Sequence, residues 1–455
     1  MNEKHVITRR NFVKSSTLAA GGLLASASLS AHPLGWLDGD DTIRVGLIGC
    51  GGRGTGAAVQ ALSTRHRVKL VAMADAFPDN VEKSYQEIIS QEYTDPATGK
   101  SVDAKSRIDV PQERRFHGFD AYKQVIPLVD VVILATPPGF RPSHFEACVN
   151  AGKHVFMEKP VATDAPGIRR VLAAAEQAKA KKLNVVVGLQ RHYQTVYREW
   201  VKRIHDGEIG EVHTARVYWN SSGVWVRDRA GLEAQAGRKL SEMEYQMRNW
   251  YYFNWLCGDH ITEQHIHNLD VGNWVMQGHP VSAHGFGGRE VRKGKDHGEI
   301  FDHHFVEYEF ANGTRMFSQC RHQPGCLDLV TEGFQGSKGR APKPGLIETN
   351  AGIEIWKHDA RKDPNPYQVE HDELFEAVAQ GEHRFSDAEN GAIATMTAIL
   401  GRLATYSGKR INWEDAMKSE VNLFPDSLAW DANPKLMPDA QGMYPVAMPG
   451  VTEVL

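Results

Sequence analysis

Residues Ile43-Arg44-Val45-Gly46-Leu47-Ile48 run straight into Gly49-Cys50-Gly51-Gly52-Arg53-Gly54. The first six suit a short strand buried on both faces, as in a parallel sheet. The glycines at 49, 51 and 54 each answer a separate need: a tight turn, a close approach of pyrophosphate to backbone, and close packing of helix on strand. A helix opening near Thr55 would aim its free N–H groups at those phosphates. A glycine pattern alone is weak, but its context follows. Val68-Lys69-Leu70-Val71-Ala72-Met73-Ala74 reads as a second buried strand and ends on Asp75, 21 residues past Gly54. A carboxylate there accepts hydrogen bonds from ribose hydroxyls and repels a 2′-phosphate, so the cofactor expected is NAD, with NADP disfavoured.

Working outward, the β–α alternation continues. Residues 129–136 read as a strand stopped by Pro137-Pro138, 143–151 as a helix, and 153–157 and 184–189 as further strands. Later runs at 212–219, 281–287, 303–309, 314–319, 327–332 and 353–356 alternate as in an antiparallel sheet, and 368–380 and 390–407 read as helices. The fold class expected is α/β. A Rossmann domain covers 41–190, an α/β domain for substrate and oligomer contacts covers 191–415, and 416–455 is a C-terminal tail.

A chain of 455 residues exceeds one compact core. A net charge of −4 gives no basic footprint, so no nucleic-acid partner is expected. The first 31 residues stand apart. They hold Thr8-Arg9-Arg10-Asn11-Phe12-Val13-Lys14 and then a mildly apolar run from Leu18 to Leu29. This resembles a twin-arginine export signal, with cleavage after Ala27 or Ala31, and implies a periplasmic or otherwise exported protein. Without it the net charge of −4 becomes −7. The run is too short to span a bilayer, so no stable membrane span is expected. The five cysteines have no framework spacing and read as isolated thiols.

The glycine turn, Ala135-Thr136-Pro137-Pro138, and Ala151-Gly152-Lys153-His154-Val155-Phe156-Met157-Glu158-Lys159-Pro160 together resemble the Gfo/Idh/MocA oxidoreductases. The resemblance covers about residues 41–415, and its last stretch is specific to that family. It implies a Rossmann domain joined to a domain with an open, mostly antiparallel sheet. That sheet often builds a homo-oligomer, a dimer or tetramer. It implies that Lys159 lies beside the nicotinamide and the reacting hydroxyl, that Glu158 places it, and that the Lys159–Pro160 bond is cis. The cofactor set expected is Gly49, Gly51, Gly52, Arg53, Gly54, Asp75, Thr136, Pro137, His144, Glu158, Lys159 and Gln190.

The family's second motif, Asp-x-x-x-His, corresponds here to Glu263-Gln264-His265-Ile266-His267, a departure that keeps a carboxylate. On a continuous helix, Glu263, His267 and Asp270 would share one face, with His260 near it and His265 opposite. His267 is the expected general base, Glu263 its orienter, and Lys159 the donor to the developing alkoxide. His and acids at this density also raise zinc, but the family chemistry needs no metal and none is expected.

Gln190-Arg191-His192-Tyr193 is a polar cluster at a strand end. Residues 220–255 are rich in aromatic and charged side chains without clear period; sugar rings stack on aromatic faces there, or the rings serve core and interface. The substrate set expected is Arg191, Tyr193, Arg248, Trp250, His260 and Asp270. The activity expected is oxidation or reduction of a ring hydroxyl, at C3, of a small-molecule sugar or glycoside by tightly bound NAD. An NAD-dependent glycosidase working by transient C3 oxidation, with Tyr193 removing the C2 proton, is the second reading. A sugar-binding protein with a structural nucleotide is the third.

Overall fold

In a computed structural model that describes residues 42–94 and 101–455, the opening stretch forms the central strand of a parallel sheet. The leader read at 1–31 lies outside the described residues. The strands are β1 (Ile43–Ile48), β2 (Val68–Asp75), β3 (Arg115–His117), β4 (Val131–Leu134), β5 (His154–Met157) and β6 (Val185–Val187). Their order is β3-β2-β1-β4-β5-β6, every pair parallel. This is the doubly wound order in which dinucleotides bind outside the carboxyl ends of the strands, where the winding reverses between β1 and β4. Val45 and Leu47 are buried on one face and Ile48 on the other. Each such side chain contributes about 1.5–3 kcal/mol of burial, which commits the run to this central place.

Helix α1 (Gly52–Leu62) follows the glycine turn, and α2 (Pro78–Ile89) follows β2. On the opposite face lie α3 (Arg141–Asn150) and α4 (Ala165–Ala180). After α5 (Thr195–His205) come the strands of the second sheet. They are β7 (Val212–Ser221), β8 (Pro280–Gly288), β9 (His303–Phe310), β10 (Arg315–His322), β11 (Leu329–Gly336), β12 (Gly339–Lys343), β13 (Leu346–Thr349), β14 (Glu354–Lys357) and β15 (Ile411–Asn412). The order is β14-β13-β12-β11-β7-β10-β9-β8-β15, antiparallel except for β7 with β10. Its inner face packs Val217, Val306, Tyr308 and Met316 into the core. Between β7 and β8 run α6 (Arg229–Ala236), α7 (Glu242–Arg248), α8 (His260–Glu263) and α9 (Ile266–Met276). Two long helices close the core, α10 (Pro366–Gln380) and α11 (Ala388–Ser407). No described helix is long and apolar enough to cross a membrane.

One expectation changes, and two packing features add to the domain reading. The continuous helix through Glu263 and Asp270 is two helices. Asp259 at φ +72 starts α8, its side chain capping the His260 N–H, and the His265 N–H reaches back to the His260 carbonyl, which breaks the run before α9. The domains also interleave. Helix α10 returns to the first sheet, where Leu374, Phe375 and Val378 share one core with Val45, Leu47 and Phe156. The C-terminal tail at 416–455, finally, packs against the body of the chain. Phe424 meets Phe140 edge-on at 5.2 Å, Trp430 lies 5.0 Å from Phe77 and 4.5 Å from Phe119, and Tyr444 packs on Phe253.

Candidate active site

The glycine turn shapes one end of a cleft of about 900 Å³ that runs along the carboxyl ends of β1, β2, β4 and β5. Gly49 sits at φ +99, and a Cβ there would lie 2.4 Å from the Ala135 carbonyl carbon. A Cβ on Gly54 would lie 1.9 Å from the Gly49 oxygen, so that position packs helix on strand. Gly51 and Gly52, by contrast, have nothing within 4 Å of a Cβ. They leave an open cradle at the N-terminus of α1, which fits a pyrophosphate. Asp75 closes the far side. Its carboxylate accepts the Cys50 N–H at 2.7 Å, the Phe77 N–H at 2.9 Å and the Asn80 amide at 3.1 Å. Burial raises its pKa against those bonds.

At the other end Lys159 donates to the Glu263 carbonyl at 2.6 Å and to Glu263 Oε1 at 3.1 Å. The Lys159–Pro160 peptide is cis. Burial raises the Glu263 carboxyl despite Lys159 and Arg141, and its Oε2 finds no partner among the described residues. His267 stacks on Trp219 at 5.9 Å and 25°, both lining the cleft, and its Nδ1 is likewise unpartnered. Burial, reinforced by Lys159 and Arg191, holds its pKa well below the usual imidazole value, so the ring is neutral. Glu158 ion-pairs with Arg53, whose guanidinium also reaches buried Glu370 at 3.5 Å and covers the Tyr367 ring. Gly188 lets Glu158 approach, since a Cβ there would lie 2.7 Å from Glu158 Oε2.

This floor has a family. Residues 43–187, from the first residue of β1 to the last of β6, match an oxidoreductase family described by its NAD-binding Rossmann fold. Over those residues the chain matches the Gfo/Idh/MocA oxidoreductases. It is an NAD(P)-dependent oxidoreductase, and its Rossmann domain matches an NAD-binding family. The inositol 2-dehydrogenase of Serratia proteamaculans is 26% identical over 388 residues, which is 81% of this chain and 95% of that one. The aldose-aldose oxidoreductase of Caulobacter crescentus superposes with a TM-score of 0.60 at 17% identity, over 82% of this chain and 99% of its own. The scyllo-inositol dehydrogenase of Lactobacillus casei, solved with NAD(H) and scyllo-inositol, gives 0.58 at 17% identity, over 82% and 99%. The two structural likenesses are likenesses of fold.

Within this Gfo/Idh/MocA frame the remaining expected residues fall into two groups. Thr136, Pro137, His144, Gln190, Arg248 and Trp250 line the cleft. His144 packs on Tyr122 at 4.2 Å, its Nδ1 3.4 Å from Thr136 Oγ1, and burial pushes it down to about 3. Gln190 leaves its Oε1 without a partner among the described residues. Arg191, Tyr193, His260 and Asp270 lie outside the lining, each in a buried network. Arg191 pairs with Glu332, which also accepts from Tyr197 at 2.9 Å and Asn268 at 2.5 Å. Tyr193 donates to Asp387 at 2.6 Å. Asp270 meets His192 at 2.8 Å and Asn390 at 3.0 Å. Asp270, on α9, faces α11, while His267 of the same helix and Glu263 on the far side of the break line the cleft. Glu263 pairs with Lys159, and no bond joins it to His267 among the described residues.

His260 bonds to Asp259 at 2.8 Å, with His304 at 3.3 Å from the other carboxylate oxygen. These three could offer ligand atoms within 4.8 Å of one another. The Asp259 oxygen facing His304 already accepts the Phe301 N–H at 3.0 Å and the Tyr406 hydroxyl at 2.6 Å. All five cysteines are free thiols.

Sequence reading missed Arg141 on α3. Fully buried, it donates to the Pro160 and Thr136 carbonyls and so ties the Lys159 turn to β4; burial pulls its pKa down to about 10. It placed Arg248 against substrate and missed its part in the roof. Arg248 forms an ion pair with Asp79 at 3.0 Å and lies over the Phe77 ring at 4.0 Å, joining the second domain to the rim beside Asp75.

Proposed function

We propose that this protein oxidises or reduces a ring hydroxyl of a sugar or related cyclic polyol, using an NAD that stays bound. The observation that carries the reading is the Lys159–Glu263 pair with neutral His267 and Trp219 beside it on one cleft. The relatives named for inositol and aldose chemistry support the substrate class. NAD in the cleft supplies the two-electron acceptor for the alcohol.

The side chains do the rest. Lys159 donates to the hydroxyl oxygen and stabilises it as negative charge develops. Neutral His267 accepts the hydroxyl proton, leaving a carbonyl on the substrate. Glu263 holds Lys159 in place through both its carbonyl and its carboxylate. Trp219 offers an aromatic face to the apolar side of a sugar ring.

Retention of the cofactor is supported by the roof: the Arg248–Asp79 pair ties the second domain to the rim, and Trp430 packs on Phe77 and Phe119 of that rim. It also accords with export. A leader of the twin-arginine kind at residues 8–14 carries a folded protein with its cofactor aboard, and a resident NAD must be re-oxidised in place by a second carbonyl compound. The outer sheet face supports a homo-oligomer. Phe286 there is 65% exposed and stacks on Phe305 at 5.1 Å.

Incubation with p-nitrophenyl glycosides, without added NAD, tests the reading. It expects a keto-glycoside and no free nitrophenol. Nitrophenol released with retained configuration would make the protein a glycosidase instead, although the Tyr193 that this chemistry needs lies outside the cleft. Tight sugar binding with neither product would make it a binding protein.

A further inference from the structure

We infer that the cleft takes a two-ring substrate, a glycoside whose second ring rests on Trp225, with the reacting ring at Lys159 and His267. The inference rests on the sugar chemistry proposed above and names the class of sugar. Three tryptophans on the cleft wall grade from the reacting end to solvent. Trp219 is half-buried against His267, Trp250 is half-buried, and Trp225 is 42% exposed.

Trp225 is held rather than loose. It meets Trp250 edge-to-face at 5.9 Å and Tyr251 at 6.2 Å. The Arg227 guanidinium lies over its ring at 5.1 Å. Two residues on, the Arg227 N–H is bound at 3.0 Å by the side chain of Asn249. That amide is fully buried and donates in turn to the Asp296 carbonyl at 2.8 Å. A buried amide thus fixes the loop that presents a large, exposed indole on the wall of a cleft. Trp219 suffices for the apolar side of one sugar ring. The further indole and its guanidinium suit a second ring with an apolar face and hydroxyls at its edge. That ring is another sugar or an aromatic aglycone.

The test uses the full chain with its bound NAD and three substrates that share one reacting sugar: the methyl glycoside, the p-nitrophenyl glycoside and a disaccharide. The expected result is a kcat/KM about tenfold higher for the two-ring substrates than for the methyl glycoside, the scale of one good stacking contact. Trp225→Ala should collapse that ratio, and Trp225→Tyr should restore most of it. Preference for only one of the two-ring substrates identifies the second ring. Equal kcat/KM for all three in the parent, or a Trp225→Ala loss shared equally by all three, overturns the inference. Turnover confined to single-ring polyols also overturns it while sparing the proposed chemistry. If no sugar or polyol changes the redox state of the bound NAD, the proposed function itself fails.

Discussion

The dinucleotide end of the cleft floor comes from one unbroken stretch, residues 43–75, while its roof is assembled from residues 225–250 and braced by 424–444, which meet only in the folded chain. The floor is mostly backbone: a turn whose glycines either pack against β4 or stand open, and one carboxylate at its edge. The roof is side chain: an Arg–Asp pair, aromatic rings and a strap. The two carry different parts of the function. Backbone geometry shared with the oxidoreductase family selects the dinucleotide. In the proposed function the side chains laid over it set how long the dinucleotide stays and what else fits beside it.

The comparison can be broken most sharply at the floor. Gly54→Ala puts a Cβ 1.9 Å from the Gly49 oxygen. We expect protein without bound NAD and a loss of about 1–3 kcal/mol in stability, read by nucleotide content and thermal melting. Gly51→Ala meets no protein atom within 4 Å. It should melt like the parent yet hold NAD poorly, because its methyl enters the pyrophosphate cradle. Equal melting losses in both variants would contradict the division between packing and cradle glycines.

Lys159→Ala should lower kcat by about a thousandfold, the scale of removing one donor to a developing oxyanion. It should leave NAD bound, since the cradle is untouched. Loss of NAD in that variant would mean Lys159 serves the cofactor rather than the substrate. At the roof the effect is smaller. Arg248→Ala should speed NAD dissociation by about fivefold, as expected for a charge pair with one exposed partner and a ring contact. An unchanged off-rate would remove the latch from the account.

The smallest expected effect is on pH dependence. Burial depresses the His267 pKa, so the ring stays neutral and competent as a base while pH falls through its ordinary value of about 6.5. The kcat/KM should therefore remain flat there and fall only in more acid solution. A limb at about 6.5 would show that the imbedded ring titrates like a solvated one.

The same contrast explains what the sequence made legible. The turn at Gly49–Gly54, Asp75 and Lys159 are local signals, each readable from a few neighbours and a strand end. Glu263 and His267 were found by motif, but their grouping with Asp270 assumed one continuous helix, and the chain breaks between α8 and α9. Arg191 and Tyr193 looked like site residues because polar groups at a strand end often are. Their actual partners, Glu332 and Asp387, lie more than a hundred residues away in sequence. Strands β12 and β13, and the strap carrying Phe424 and Trp430, owe their places to long-range packing and have no period of their own to read. Arg141 carried no signal, because its role is to bond carbonyls of β4 and the Lys159 turn.

The central claim, a resident NAD doing redox chemistry on a sugar or polyol ring, is tested most directly by one absorbance measurement. The full chain is purified and desalted without added nucleotide, then mixed with candidate sugars and cyclic polyols while the near-ultraviolet band of reduced nicotinamide is followed. The account predicts one equivalent of cofactor per chain and a rise in that band with substrate, reversed by a carbonyl acceptor. A desalted protein that carries no NAD, and turns over only when NAD is supplied from solution, would contradict it.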